Sequence, residues 1–190
     1  MAHTKGENMQ KIILGLILIS FSLLADTKKD VLHYFKLVTK SQGVDNINIS
    51  EKDIKNGYLK YEIRGAEVFH EFAIWFKKDG SVIAANASFG CGPLCGLDGI
   101  KFYEFNGDIP QDVTSKLYPD AKLRELYKKK LDKVQAKKPF EDENYWLKIP
   151  RKGTTIEIGI KANQMSEKET FIPVANLIFK NDMFELVEKK

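Results

Sequence analysis

The sequence is poor in the residue types that mark catalytic and redox chemistry. Its 190 residues include two cysteines, three histidines and two tryptophans. The chain contains none of the patterns H-E-x-x-H, G-x-S-x-G or G-x-x-x-x-G-K-S/T, which mark zinc proteases, serine hydrolases and phosphate-binding loops. We therefore predict no catalytic residue, no metal ligand and no cofactor.

Neither sign of charge dominates the chain, and polar low-complexity stretches are missing. The 30 Lys and Arg side chains exceed the 26 Asp and Glu side chains by a formal net charge of +4. This excess is too small to indicate a nucleic-acid partner. Aromatic residues make up 11% of the chain, a content that excludes a disordered protein and favours a folded core.

One apolar run stands out near the start of the chain. Residues 12–25 are uncharged and mostly apolar, follow Lys11 and end at the small residue Ala25. This order is typical of a secretory signal peptide, and the run is shorter than the about 20 residues that span a membrane. The alternative is a buried first helix. We predict a signal peptide at 1–25 and one exported domain at 26–190, periplasmic or extracellular, with no transmembrane segment after cleavage.

The rest of the chain switches between helical and strand-like periodicity. Apolar residues at 31–38 share one helix face, and alternating apolar residues at 58–105 indicate strands separated by turns. Residues 118–138 have helical spacing again, and strand patterns resume over 145–187. We predict an α+β fold. It contains about eight antiparallel strands in two runs of four, an N-terminal helix, and a basic amphipathic helix between the runs.

Both cysteines lie in the glycine-rich stretch GCGPLCGLDG, with three residues between Cys91 and Cys95. Thiol oxidoreductases use C-x2-C at a helix N-terminus, whereas a strand-like segment follows here. An exported protein meets an oxidising compartment, where two cysteines make one bond. We predict a structural disulfide. A redox-active pair or a Cu(I) site, which thiolates suit, is the alternative.

A disulfide that closes so short a loop stabilises the folded state by about 2 kcal/mol in the loop-closure account. Its main effect is therefore to make the loop rigid. Rigid loops on a sheet scaffold are common binding elements. We therefore predict that this loop is a recognition surface. The candidate contact residues are Gly90, Gly92, Pro93, Leu94 and Asp98.

Basic residues crowd the second predicted helix, where residues 122–138 include eight Lys or Arg and two acids. Such a face can bind an anionic envelope component such as lipid headgroups. The same composition is typical of a solvated helix face, which is the alternative. The candidates on this basic face are Lys122, Arg124, Lys128, Lys129 and Lys133.

Three aromatic residues lie on predicted strands. Trp75, Trp146 and Tyr145 are placed either to form a sugar- or ligand-binding patch or to fill the core. Alternating strand patterns favour the core.

Several longer segments resemble one group of sequences. The segments are FKKDGSVIAANASFGCGPLC, DVTSKLYP, IPRKGTTIEIG and LIFKNDMFEL. They resemble a group of uncharacterised exported bacterial proteins with a DG hairpin, a CGPxC-like loop and a PRKGTTI-like hairpin. The resemblance covers most of residues 55–187 and implies export and a shared fold. That group has no assigned activity, so it implies no catalytic residue.

These observations predict an exported, non-enzymatic binding or inhibitor-like module of the cell envelope. Its partner would be an envelope protein or an anionic envelope component. The alternative is an envelope metal-binding or thiol-redox accessory protein that uses Cys91 and Cys95.

The export prediction has a direct test. We expect the protein recovered from the envelope or medium to begin at Asp26, because Ala25 is the small residue that ends the apolar run. Intact-mass spectrometry of that protein measures the cleavage. A full-length mass, or retention of the chain in the cytosol, contradicts the prediction.

Overall fold

The computed structural model describes residues 29–91, 95–135, 142–163 and 170–189. The predicted signal peptide at 1–25 lies outside the described residues. The described chain has three α-helices, one short 3₁₀ turn (Ile54–Asn56) and ten strands. In chain order the elements are α1 (Val31–Ser41), β1 (Ile47–Asp53), β2 (Tyr58–Ile63), β3 (Val68–Phe76), β4 (Val82–Cys91), β5 (Cys95–Asn106), β6 (Ile109–Asp112), α2 (Thr114–Leu117), α3 (Asp120–Gln135), β7 (Asp142–Lys148), β8 (Thr155–Asn163), β9 (Thr170–Lys180) and β10 (Met183–Glu188).

The strands form two antiparallel sheets, each a simple meander. Sheet A contains β1 to β6 in chain order, and sheet B contains β7 to β10 in chain order. The α+β class, the N-terminal helix and the basic helix between the two runs of strands agree with the sequence prediction. The second run has the four predicted strands.

The predicted layout of two four-strand runs is wrong for the first run, which has six strands. The two additional strands, β1 and β6, are the edges of sheet A. None of the seven β1 residues is fully buried, and β6 is four residues long with Pro110 inside it. An edge strand has one neighbour, so it needs little apolar surface and tolerates proline. Neither strand therefore carries a strong apolar alternation.

The first helix covers one face of sheet A. Its N-cap is Asp30, whose Oδ1 accepts a hydrogen bond from the backbone N–H of His33 at 3.1 Å. Val31, Phe35 and Val38 are buried against the sheet. The Phe35 ring meets Phe72 of β3 edge-on, with ring centroids 5.6 Å apart. Alternate residues of the central strands thus bury one apolar face under α1.

The opposite face of sheet A packs against sheet B and α3 in one continuous core. Trp75 of β3 contacts the ring of Phe184 in β10 edge-on, with ring centroids 5.1 Å apart, and its Nε1 donates to the carbonyl oxygen of Gly153 at 3.3 Å. The backbone N–H of Lys78 donates to Asp182 Oδ1 at 2.8 Å. Side-chain packing and polar contacts therefore join the two sheets at the β3–β4 turn.

A partly buried carboxylate adds a polar link between the sheets. Glu71 of β3 accepts a hydrogen bond from the backbone N–H of Ile149, just after β7, at 3.3 Å. It also forms a hydrogen bond with Tyr58. Burial raises the pKa of Glu71, and the bonds from Ile149 and Tyr58 and the charge of Lys60 offset that rise in part. Ionisation of Glu71 is therefore less favourable in the folded protein than in the unfolded chain.

We expect Glu71→Gln to preserve or raise the stability of the fold at pH 7 and Glu71→Ala to lower it. The pKa of Glu71 is higher in the folded protein than the usual value of 4.5. The protonated side chain therefore stabilises the fold at low pH. This contribution is lost as the pH rises from 4.5 through the folded-state pKa. Glu71→Gln keeps an acceptor for Ile149 and carries no charge, so it is as stable as wild type or more stable at pH 7. Glu71→Ala leaves the Ile149 N–H without its acceptor, which costs about 1–3 kcal/mol.

Urea unfolding of both variants at several pH values measures these differences. The stability gap between Glu71→Gln and wild type should widen from about pH 4 to pH 7, because only wild type ionises there. A Gln variant as unstable as the Ala variant at pH 7 contradicts this account.

Candidate functional site

The two cysteines close the end of the β4–β5 hairpin. Cys91 and Cys95 are disulfide-bonded, with Cα atoms 4.0 Å apart, and they are the last residue pair in the β4–β5 ladder. The predicted disulfide is therefore confirmed. Of the predicted binding-loop residues, Gly92, Pro93 and Leu94 lie outside the described residues, and Gly90 and Asp98 lie within them.

Asp98 forms a β-bulge next to the disulfide. Ser88 pairs with Gly99 and Phe89 pairs with Leu97, so Asp98 is an extra residue in β5 without a partner in β4. Its carboxylate lies over Gly90, where a Cβ atom would be 2.8 Å from either oxygen. A side chain at residue 90 would therefore require the Asp98 carboxylate to move.

A histidine lies on the same side of the sheet as this carboxylate. His70 of β3 pairs with Ser88 and stacks on Tyr61, with ring centroids 4.6 Å apart. Both ring nitrogens are buried and make no hydrogen bond within the structure. Burial lowers the pKa of His70 and the charge of Asp98 opposes that shift, so the neutral imidazole is favoured near pH 7.

A well-defined hollow lies on the other side of sheet A. It is a cleft of about 370 Å³ between β5, the segment from α2 to α3, and β7. We call it the tyrosine cleft. It is lined by residues 97–100, Thr114, Tyr118, Asp120, Arg124, Tyr127 and Tyr145.

Three elements bring the three tyrosines together. Tyr118 lies between α2 and α3, and its ring stacks on Phe102 of sheet A with centroids 6.1 Å apart. Tyr127 lies on α3 and meets the ring of Tyr145, on β7, edge-on at 5.2 Å. The Tyr118 and Tyr145 hydroxyl oxygens are 2.7 Å apart, so one hydroxyl donates to the other.

The hydroxyl groups of the tyrosine cleft are uncharged at neutral pH. Burial raises the pKa of Tyr145 to about 12, and burial and the Tyr145 neighbour raise the pKa of Tyr118 further. Both hydroxyls are therefore protonated at neutral pH. The Asp120 carboxylate accepts from Arg124 Nε at 2.8 Å, so these two charges largely neutralise each other.

The predicted basic-face residues do not act as one surface. Arg124 lines the tyrosine cleft, and Lys122 pairs with Glu125 at 3.0 Å. Lys129 is 3.7 Å from a carboxylate oxygen of Glu188 in β10. Lys128 and Lys133 are exposed. Part of α3 is therefore exposed to solvent. Its other residues line two separate hollows.

The structure brings together residues that the sequence assigned to different surfaces. Asp98, a predicted loop residue, and Arg124, a predicted basic-face residue, line the same tyrosine cleft. Tyr145, predicted as patch or core, faces this cleft. Trp75 is in the core, and Trp146 packs on Phe89 with ring centroids 4.6 Å apart. Sequence reasoning missed Tyr118 and the position of Tyr127 in the wall of the cleft.

No protein-family model, curated protein or solved structure matches the chain. The resemblance to exported bacterial proteins therefore stays a prediction. Within the described residues, no group of three or more His, Cys, Asp or Glu side chains is placed to hold a metal ion. In the same part of the chain, no helix has the length and apolar character needed to cross a membrane.

We expect the disulfide to be structural. Replacing both Cys91 and Cys95 with Ser should lower the free energy of unfolding by about 1–3 kcal/mol and preserve the fold, because the closed ring is short. Thiol titration of protein purified without reductant, followed by urea unfolding, provides the measurement. Two free thiols per chain, or reduction by mild thiol with selective alkylation of one cysteine at low pH, would indicate the redox or metal role instead.

Proposed function

We propose that the chain is an exported, non-enzymatic binding module of the cell envelope, and that the tyrosine cleft is its ligand site. The observation that carries the proposal is the convergence of Tyr118, Tyr127 and Tyr145, from three separate elements, on one cleft. A volume of about 370 Å³ is within the usual range of ligand pockets.

The cleft chemistry suits a sugar unit of an envelope component. A sugar ring presents an apolar C–H face and a rim of hydroxyl groups, which match tyrosine rings and hydroxyls. The tyrosine hydroxyl that accepts in the Tyr118–Tyr145 pair keeps its own hydrogen and can donate it to a bound hydroxyl. The Asp120–Arg124 pair offers further acceptors and donors at the rim.

The groups in the cleft support binding rather than catalysis. Both buried tyrosine hydroxyls are protonated at neutral pH, since their pKa values are raised. Among the acidic residues that line the cleft, Asp120 is held by Arg124, and the Asp98 carboxylate lies over Gly90 on the His70 side of sheet A. A hydrolase that uses two carboxylates needs both of them on either side of the bond that is cleaved, and these two carboxylates lie on opposite sides of sheet A.

The disulfide supports the export part of the proposal. A disulfide such as Cys91–Cys95 persists in an oxidising compartment and is rare where thiols are kept reduced. The predicted leader at 1–25 would deliver the chain to that compartment.

The binding proposal predicts a graded loss in cleft variants. Tyr127→Ala removes one ring from the rim and should weaken binding about tenfold or more. Tyr145→Phe removes one hydroxyl from the buried pair and should weaken binding about two- to tenfold. Calorimetric titration with soluble oligosaccharides released from the producing cell's envelope measures both effects.

Tyr103→Phe is the matched control. Tyr103 belongs to the α1 side of sheet A, where its hydroxyl accepts from Gln42 Nε2 at 2.6 Å, so this variant also loses one hydroxyl but leaves the cleft intact. Oligosaccharide binding should be unchanged in the control. Absence of binding by wild type, or an equal loss in Tyr103→Phe, overturns the proposal.

A further inference from the structure

A second hollow lies between α3 and the chain end, on the far side of the helix from the cleft rim residue Arg124. Its volume is about 250 Å³. Residues of α3, β9, β10 and the segment after β10 meet there, and we call it the lysine hollow. It is lined by Leu126, Lys129, Lys130, Lys133, Val174, Glu188 and Lys189.

The floor of the lysine hollow is apolar and well anchored. Leu126 is 4% exposed and Val174 is 2% exposed, and both belong to the main core. The backbone N–H of Lys189 donates to the carbonyl oxygen of Val174 at 2.9 Å, which fixes the segment after β10 beside β9. The lysines therefore surround a fixed apolar surface.

The charge around this floor is strongly unbalanced. Four lysines meet one carboxylate, Glu188, which is 3.7 Å from Lys129. Both side chains of that pair are more than half exposed, so the pair contributes little attraction. Lys130 and Lys133 form no ion pair within the described residues.

The helix alone does not account for this arrangement. Lysines in the last turn of a helix interact favourably with its dipole, which explains Lys133. Near the start of the helix, Lys122 and Arg124 pair with acids of their own helix. Lys189 comes from the end of the chain and converges on the same hollow.

We propose that the lysine hollow binds a phosphate group of an envelope component, with the carbon atoms next to that phosphate resting on Leu126 and Val174. Lysine ammonium groups bind phosphate oxygens as point charges. The hollow has room for one phosphate group and a few carbon atoms. This site is separate from the tyrosine cleft, and only the envelope origin of the phosphate group rests on the proposed export.

The test compares two double variants that change the net charge equally. Lys129→Gln/Lys133→Gln alters the lysine hollow, and Lys122→Gln/Lys128→Gln alters the same helix outside it. The probes are soluble glycerol 3-phosphate and vesicles of phosphatidylglycerol in phosphatidylcholine. Titrations of the full chain at about 0.1 M salt limit the influence of distant charges, because the Debye length is then about 10 Å.

We expect wild type to bind a phosphate probe, the first double variant to lose about tenfold or more, and the control to stay within about twofold. Glu188→Gln should strengthen binding about two- to fivefold, because it removes the one carboxylate of the hollow. Binding of both probes assigns the site to a phosphate group as such, and binding of vesicles alone assigns it to a lipid headgroup.

Two results overturn the proposal. One is the absence of wild-type binding to either probe, and the other is an equal loss in the two double variants, which would mean that only total charge matters. Circular dichroism and thermal unfolding of each variant check that the fold is retained. Oligosaccharide binding in the tyrosine cleft should be unchanged in all these variants, so failure of one site is distinguishable from failure of the other.

Discussion

Burial of both faces of sheet A is the constraint on which the rest of the structure depends. Along β3, Phe72 and Ile74 face α1, whereas Ala73 and Trp75 face sheet B and α3. A sheet with two apolar faces needs two covering layers, and a meander of hairpins supplies neither, because its strands all stay in one sheet. The covers must come from the chain before and after the meander. This requirement explains why one helix precedes sheet A and why α3 and sheet B follow it.

The tyrosine cleft is a consequence of this arrangement. One face of sheet A is covered by two different elements, α3 and sheet B. A seam remains beside β5, where these two elements meet. Tyr118 connects the two sheets at this seam, because its ring stacks on Phe102 of sheet A and its hydroxyl forms a hydrogen bond with Tyr145 of sheet B. The seam is therefore closed at its base by packed rings and open at its rim, where Asp120 and Arg124 lie.

The periodicity of the sequence predicted the elements that bury the most apolar surface, namely α1, α3 and the central strands. It missed β1 and β6, whose edge positions require little burial. The disulfide was predictable because the two cysteines are separated by only three residues in a glycine-rich stretch. The cleft was not, since tyrosines at 118, 127 and 145 carry no common spacing and only the packing of α3 beside β7 brings them together. The sequence analysis did select Asp98 and Arg124 as candidate binding residues. It assigned Asp98 to the cysteine loop and Arg124 to the basic helix face.

The disulfide and the cleft are connected through β5. Cys95 is the first residue of that strand, Asp98 is its bulge, and residues 97–100 form one wall of the cleft. A bulge interrupts the ladder and would let the hairpin end twist away from β4. The disulfide between Cys91 and Cys95 holds the ends of β4 and β5 together beyond the bulge. The Asp98 carboxylate also packs over Gly90 of β4. A hairpin closed in this way keeps one wall of the cleft in place, which is the preorganisation that the proposed ligand site requires.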